Sequence, residues 1–113
     1  MMDARIRESL DDLLEFAATG ARIVELGRAR FDDDELVQLA AEAVFIRIGA
    51  AVARLGDWFT AAHPAVRWRQ MKDLRNLVAH EYAVIDYDVL WRTLEVDLPR
   101  EAAAIRAIRD DEG

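Results

Sequence analysis

Three side chains in one short stretch have the types and spacing for phosphate chemistry. They are Arg75, His80 and Tyr82, in the order Arg-x-x-x-x-His-x-Tyr. A guanidinium can clamp a phosphate through paired, charge-assisted hydrogen bonds. An imidazole can give or take a proton near neutral pH. On an ideal helix the five-residue step is about 140° of rotation and about 7.5 Å of rise. Arg75 and His80 are therefore not stacked, but a long arginine side chain can lean towards the imidazole and both can address one phosphate. A histidine at the C-terminal end of a helix is favoured as imidazolium by the helix dipole.

Such a set suits RNA cleavage without a metal. A base takes the 2′-OH proton, the oxygen attacks the adjacent phosphorus, and an acid protonates the leaving 5′-oxygen. Cations stabilise the charge that builds up in the transition state. One chain offers a single suitable histidine, whereas two chains together offer two His80 and two Arg75. A structural alternative stands beside this reading: Arg75 paired with an acid, His80 in a helix-end hydrogen bond and Tyr82 packed in the core.

Charge narrows the choice. The 113-residue chain has a formal net charge of −7, which excludes non-specific binding of nucleic acid over its whole surface. Any RNA contact must rest on a local patch. Arg67, Arg69, Lys72 and Arg75, set against Asp73, form one, and it is able to hold phosphates. Arg47 and Arg54 lie one heptad apart on one helix face. They either pair with acids at an interface edge or bring one guanidinium, with Arg47 the candidate, into the site of Arg75.

The elements that must position these groups are helical. Residues 3–18 carry Ile6, Leu10, Leu13, Leu14 and Ala17 at three- and four-residue spacing. Val24 continues the stripe and Leu26 lies close to it, so a single helix is expected through Gly20 to about Arg30. A break follows at residues 31–35, where Asp33 or Asp34 can cap the next helix. That acidic cluster reads as a solvated helix start. The second helix, from about Glu35 to Ala62, is apolar round most of its circumference and must be buried on most sides. A monomer of this size can hardly surround it, so part of it is expected to face another chain. The small residues Gly49, Ala50, Ala51 and Ala53 would allow close backbone approach.

A turn at His63-Pro64 leads to the third helix, Arg69 to about Ala79, with Met71, Leu74, Leu77 and Val78 inward. Trp68 is expected as a core anchor rather than a base-stacking platform, because Trp58, Trp91 and Phe59 nearby favour a core. A non-helical link runs from Tyr82 to Tyr87. The fourth helix, capped by Asp86 or Asp88, has Val89, Leu90, Leu94 and Leu98 inward, and Pro99 should end or bend it. The last helix runs from Pro99 to about Arg109 with Ala102, Ile105 and Ile108 inward, and the acidic tail 110–113 is expected to fray. The expected architecture is one all-α domain over residues 1–113, an antiparallel bundle of four to five helices. Cysteine is absent, which excludes disulfides and thiolate chemistry and fits a cytoplasmic setting. No secretory leader is expected, and charges within the most apolar run argue against a membrane span.

The motif also carries a family resemblance. Arg75-Asn76-Leu77-Val78-Ala79-His80-Glu81-Tyr82 resembles the Arg-Asn-x-x-x-His-x-Tyr signature of HepT-like toxins in the HEPN superfamily. Ile48-Gly49-Ala50-Ala51, His63-Pro64 followed by Trp68, Asp86-Tyr87-Asp88-Val89-Leu90-Trp91 and Asp97-Leu98-Pro99 resemble further family segments. They occur in order over roughly residues 36–105. The resemblance implies a HEPN-like homodimer with a composite site, and metal-independent ribonuclease activity that needs no cofactor. Arg75 and His80 are then catalytic and Asn76 helps to place the phosphate, in a basic surround that includes Lys72, Arg69 and Arg47. It also implies a partner, a minimal nucleotidyltransferase antitoxin that uses ATP to transfer AMP to Tyr82. Bulky, charged adenylyl groups beside His80 would block RNA and oppose its phosphates. In one departure, Ala50 stands where the family often has Glu, so any support that acid gives must here be weaker or come from elsewhere. A reading from another class is a non-catalytic helical partner of a nucleotidyltransferase, which would need none of Arg75, His80 and Tyr82.

Overall fold

Asp3 starts the first helix by accepting a hydrogen bond from the Arg5 amide at 2.7 Å, an N-cap that satisfies one otherwise orphan donor. A computed structural model of the chain describes residues 2–78 and 84–112. In it, α1 (Ala4–Leu26) runs unbroken through Gly20 and stops at Gly27, whose φ of 92° is open to glycine. Residues 28–33 form a separate short helix, α2 (Arg28–Asp33), where a continuation of α1 was expected to about Arg30. Phe31 is the cause. It is fully buried against Tyr87 and Trp91, with ring centroids 5.8 and 5.3 Å away. Leu26, expected beside the core stripe, is exposed, and Ile23 is buried in its place.

Asp34 caps α3 (Glu35–Ala62) by accepting from the Leu36 amide at 3.0 Å. The Arg30 guanidinium, bonded to it at 2.8 Å, holds its carboxyl below the usual carboxylate range. That contribution to stability is present above the ordinary aspartate pKa and is lost as pH falls through the depressed value. α3 packs on α1 along one side and on α4 (Trp68–Val78) along another. At Gly56 it kinks, with φ 81° and ψ 160°.

The chain closes with α5 (Tyr87–Arg92), a wider π-helical turn at Thr93–Asp97, and α6 (Leu98–Glu112), which packs on α1. Asp86 is the cap of α5, accepting from the Asp88 and Val89 amides. Asp88 instead forms an ion pair with Arg28 of α2. Pro99 neither ends nor breaks this rod. A proline has no N–H and crowds the carbonyl four residues back, and the π turn just before it, closed by Leu98 N–H to Thr93 O, relieves that crowding. Val89, expected inward, is exposed, while Trp91 is buried. The helix extends to Glu112, past the point where fraying was expected.

The architecture is therefore an all-α bundle of three long rods, α1, α3 and α5–α6, with the shorter α4 packed on α3 and the short α2 between α1 and α3. Its core centres on Leu10, Leu13, Phe31, Phe45, Ile48, Leu90, Leu94 and Ile105. Among the described residues there is no strand.

Two glycines mark close helix approaches of different kinds. A Cβ on Gly49 would lie 2.8 Å from Arg75 Cβ and 2.9 Å from the Lys72 carbonyl oxygen, both fixed to the α4 backbone. A Cβ on Gly20 would meet the tips of Leu98 and Leu94, at 2.9 and 3.2 Å, and these can rotate away. Alanine gains about 1 kcal/mol of helix propensity over glycine at either position. Overpacking against fixed atoms costs about 1–3 kcal/mol. Gly49→Ala should therefore be net destabilising, by up to about 2 kcal/mol, and Gly20→Ala neutral or stabilising. Urea unfolding of both variants checks this; equal midpoints would refute the rigid seat at Gly49.

Candidate active site on helix α4

α4 is an eleven-residue helix, too short to be stable alone, so its position is set by what holds it. At its start the Trp68 indole donates to the His63 carbonyl at 2.8 Å, and the ring is buried against Phe59. Trp68 is thus the core anchor expected from the sequence, and His63 sits at the C-cap of α3, its ring 4.5 Å from that of Phe59. The Arg67 amide donates to Glu101 Oε1 of α6 at 3.0 Å. Glu101 is only 5% exposed and also accepts from Arg100 Nε at 3.1 Å. Its place on the buried stripe Leu98-Glu101-Ala102-Ile105 was a readable signal, because a carboxylate there must have partners. In mid-helix, Met71 and Leu74 are buried and the backbone rests on Gly49. Leu77, expected inward, is partly exposed.

This seat fixes the base of the Arg75 side chain against Gly49 and leaves the residue exposed. Arg69, Lys72 and Asn76 follow one another at three- and four-residue steps on an exposed stripe beside it. Among the described residues, none of Arg67, Arg69, Lys72 and Arg75 forms an ion pair, whereas Arg28, Arg30, Arg54, Arg100 and Arg109 do. Arg69 and Lys72 line a cleft of about 200 Å³ between α4 and the kinked end of α3, with Asp57 and Thr60 opposite.

Arg47 is placed elsewhere. Its guanidinium lies over the Phe16 ring of α1 at 6.0 Å, and Arg54 pairs with Asp12 of α1 at 3.1 Å. Residues 47 and 49 are about 160° apart round a helix, so within one chain Arg47 and Arg75 are on different sides of α3.

His80 and Tyr82 lie outside the described residues. On either side of them, α4 ends at Val78 and Asp86 caps α5. Just beyond that cap the Tyr87 hydroxyl donates to Glu42 of α3 at 3.2 Å. Burial pushes the Tyr87 phenol up, and the Glu42 charge pushes it in the same direction.

The remaining feature is an uncovered face of α3. Leu36 is 76% exposed, Leu39 51% and Ile46 39%. With Ala40, Ala43 and Ala53 they follow helical spacing on the side away from the core. The expectation that one chain cannot surround this helix matches these exposures. The small residue Gly49, by contrast, receives α4 of the same chain.

The bundle, with Arg75 and Asn76 of the motif on α4, is an all-α domain of the HEPN type. The chain matches the family described as ribonuclease HepT-like over residues 6–108, and it belongs to that family of ribonucleases. A candidate RNase of Methanocaldococcus jannaschii, MJ1380, is 30% identical over 95 residues, covering 84% of this chain and 82% of that one. A candidate ribonuclease HepT of Thermococcus cleftensis is 30% identical over 99 residues, covering 83% and 90%. A second candidate RNase of M. jannaschii, MJ0127, is 28% identical over 109 residues, covering 96% and 85%. No solved structure matches the chain.

Three variants test how the site is held. Glu101→Ala removes a buried acceptor and should cost about 1–3 kcal/mol, whereas Glu101→Gln, which can still accept from the Arg67 amide, should cost less. Denaturant unfolding gives both values. Tyr87→Phe should separate from the wild type only below the alkaline range. The advantage of the tyrosine is full below the ordinary phenol pKa and is lost as pH rises through the raised one. Thermal unfolding midpoints measured from pH 7 to 11 should converge.

Proposed function

We propose that this protein is the toxin of a type VII-like toxin–antitoxin pair, a metal-independent endoribonuclease that works as a homodimer in the cytoplasm. The observation that carries the proposal is the seating of Arg75. The α4 backbone is locked against Gly49, so a guanidinium is presented to solvent from a rigid base, five residues before His80. Membership of a ribonuclease family supports the activity class. The uncovered Leu36-Leu39-Ile46 face supports a second copy as partner, since C2 dimers are the commonest soluble assembly.

In the reaction a base, one His80, takes the proton from an RNA 2′-OH. The 2′-oxygen bonds to the adjacent phosphorus, and the bond from phosphorus to the 5′-oxygen breaks. A protonated His80 of the other chain gives that oxygen its proton. The products are a 2′,3′-cyclic phosphate and a 5′-hydroxyl end. Arg75 holds the phosphate and offsets the charge of the transition state, with Asn76, Lys72 and Arg69 helping to place it. Arg47 can contribute only if the dimer brings it there. Control is by a cognate nucleotidyltransferase. The Tyr82 oxygen attacks the α-phosphorus of ATP, pyrophosphate leaves, and the attached AMP blocks the RNA path.

Expression of the chain alone should arrest growth. His80→Ala and Arg75→Ala should each relieve the arrest and reduce cleavage of RNA in vitro by at least about 100-fold, and EDTA should leave the wild-type rate unchanged. A wild-type protein that is harmless without its partner and leaves RNA intact would refute the toxin. Incubation with the partner and ATP should add about 329 Da per AMP to the peptide carrying Tyr82, a mass set by the balance of the transfer. Full neutralisation with Tyr82 unmodified would mean inhibition by binding instead.

A further inference from the structure

A recess of about 110 Å³ separates α4 from the closing rod, and Thr93, Asp97 and Leu98 of the π turn and its end form one wall. Pro99 accounts for the turn, but no side chain fills the space beside it. Met71, Leu74 and Leu98 line it and are buried, so its floor is apolar. Glu101 lines it too, with a side chain only 6% exposed. It shares a buried stripe with Leu98, Ala102 and Ile105, so a carboxylate stands where packing alone would take an apolar residue. Its two oxygens each hold one protein donor, the Arg67 amide at 3.0 Å and Arg100 Nε at 3.1 Å. An ionised carboxylate offers about four acceptor positions, so half of its capacity is free. A glutamine would serve the Arg67 amide as well, so the charge needs another reason.

The lining defines what fits. Asp97 is a second acceptor, engaged by Arg100 Nη2 at 3.4 Å. Gln70 is exposed, and its side-chain amide makes no hydrogen bond among the described residues. Arg67 at the mouth also borders a shallow depression over the start of α4, which holds Arg69 and has Asp57 across it. An occupant must therefore have apolar faces, donors for two carboxylates and acceptors for an amide. An arginine from a partner protein has the donors but no acceptor. A nucleobase has both, and size and donors narrow the choice. An apolar cavity of about 150 Å³ holds one benzene ring. The recess is smaller but open on one side, so it suits a single ring and not the double ring of a purine. Uracil offers the carboxylates one ring N–H. Cytosine offers an amino group with two N–H donors, which is the group that Glu and Asp read in base recognition. Its O2 and N3 are acceptors for Gln70.

We propose that this recess is a specificity subsite for a cytosine base of single-stranded RNA, whose unstacked bases expose these edges. Glu101 and Asp97 accept from the cytosine amino group, Gln70 donates to the ring acceptors, and Arg67 takes the adjoining phosphate. The recess lies between α4 and the closing rod, whereas the base of Arg75 is seated on Gly49 of α3, so base selection is separable from cleavage. This inference rests on the ribonuclease family and not on the catalytic roles of Arg75 and His80.

The test uses the full chain and dye-labelled 2′-O-methyl uridine hexamers, plain or with one central cytidine or adenosine. These lack the nucleophile for 2′-OH cleavage and so survive the titration. Fluorescence anisotropy at one fixed salt concentration gives the affinities. The wild type should prefer the cytidine hexamer to the plain one by about 5- to 150-fold, the range for one well-read base edge, and should gain nothing from adenosine. Glu101→Gln should lose most of that preference, because its amide nitrogen donates where the carboxylate accepts. Gln70→Ala should lower the preference by about 2- to 13-fold, the range for one hydrogen bond. Its position is exposed, so it decides the matter should Glu101→Gln fail to fold. Arg67→Ala should keep the preference and lower the salt dependence by about 0.7 in log–log slope.

Equal affinity of the wild type for all three hexamers would overturn the proposal. So would a cytidine preference undiminished in both Glu101→Gln and Gln70→Ala, or a gain from adenosine as large as that from cytidine. Cytidine 5′-monophosphate binding as tightly as the cytidine hexamer would also overturn it, since the occupant would then be a free nucleotide and not a strand. A cytidine preference in a wild type that cleaves no RNA would support the subsite while removing the proposed reaction. Cleavage with no base preference in binding would sink the subsite and leave the reaction standing.

Discussion

The contact on which the rest depends is the seat of α4 on Gly49 of α3. A helix of eleven residues has no stable position of its own in water. Its address comes from three fixings: Trp68 in the core, Glu101 on the amide of Arg67, and the backbone of Lys72–Arg75 pressed on a residue without a side chain. The closest of these lies directly under Arg75. A guanidinium that is to act on a phosphate, as proposed for Arg75, must be held to within a fraction of an ångström. Mounting it on two interlocked helices achieves this better than a loop would.

α3 carries two jobs that conflict in a monomer. As the core helix it supplies Val44, Phe45, Ile48, Val52, Leu55 and Phe59 to the interior. Its outer side is nearly as apolar at Leu36, Leu39 and Ile46. By length and hydropathy alone such a helix could cross a membrane. Here its buried side is packed on α1 and α4, and Arg47 and Arg54 reach out to Phe16 and Asp12 of α1. The apolar outer face instead has the helical spacing of a surface that another helix would cover.

The cations are divided by task. Arg28 ties α2 to α5, Arg54 ties α3 to α1, and Arg109 ties α6 to α1. Those of α4 do none of this among the described residues, and they stand exposed on one short helix. An acidic protein can thus carry a local cationic strip without becoming a general polyanion binder. The kink at Gly56 adds a second consequence. It keeps Phe59 in the core while releasing Trp58 to solvent.

Helix period, caps and breakers determined most of the fold from the sequence alone. Apolar spacing in α1, α3 and α6 marks faces that are indeed buried, and Asp34 and Asp86 mark helix starts, because those signals are local. The Arg75 and His80 motif and the basic strip were equally legible as residue types at fixed spacing. What failed were the exposures of Leu26, Leu77, Val89 and Trp58, each apolar and each near a helix end or kink. There the rotation of a helix about its axis is set by neighbours far away in sequence, such as Tyr87 and Trp91 around Phe31. Tertiary structure alone decided that Gly49 receives α4 and not a second chain, that Glu101 anchors α4, and that Arg47 faces α1. Spacing along a helix says which residues share a face, but which partner that face meets depends on how whole helices pack together.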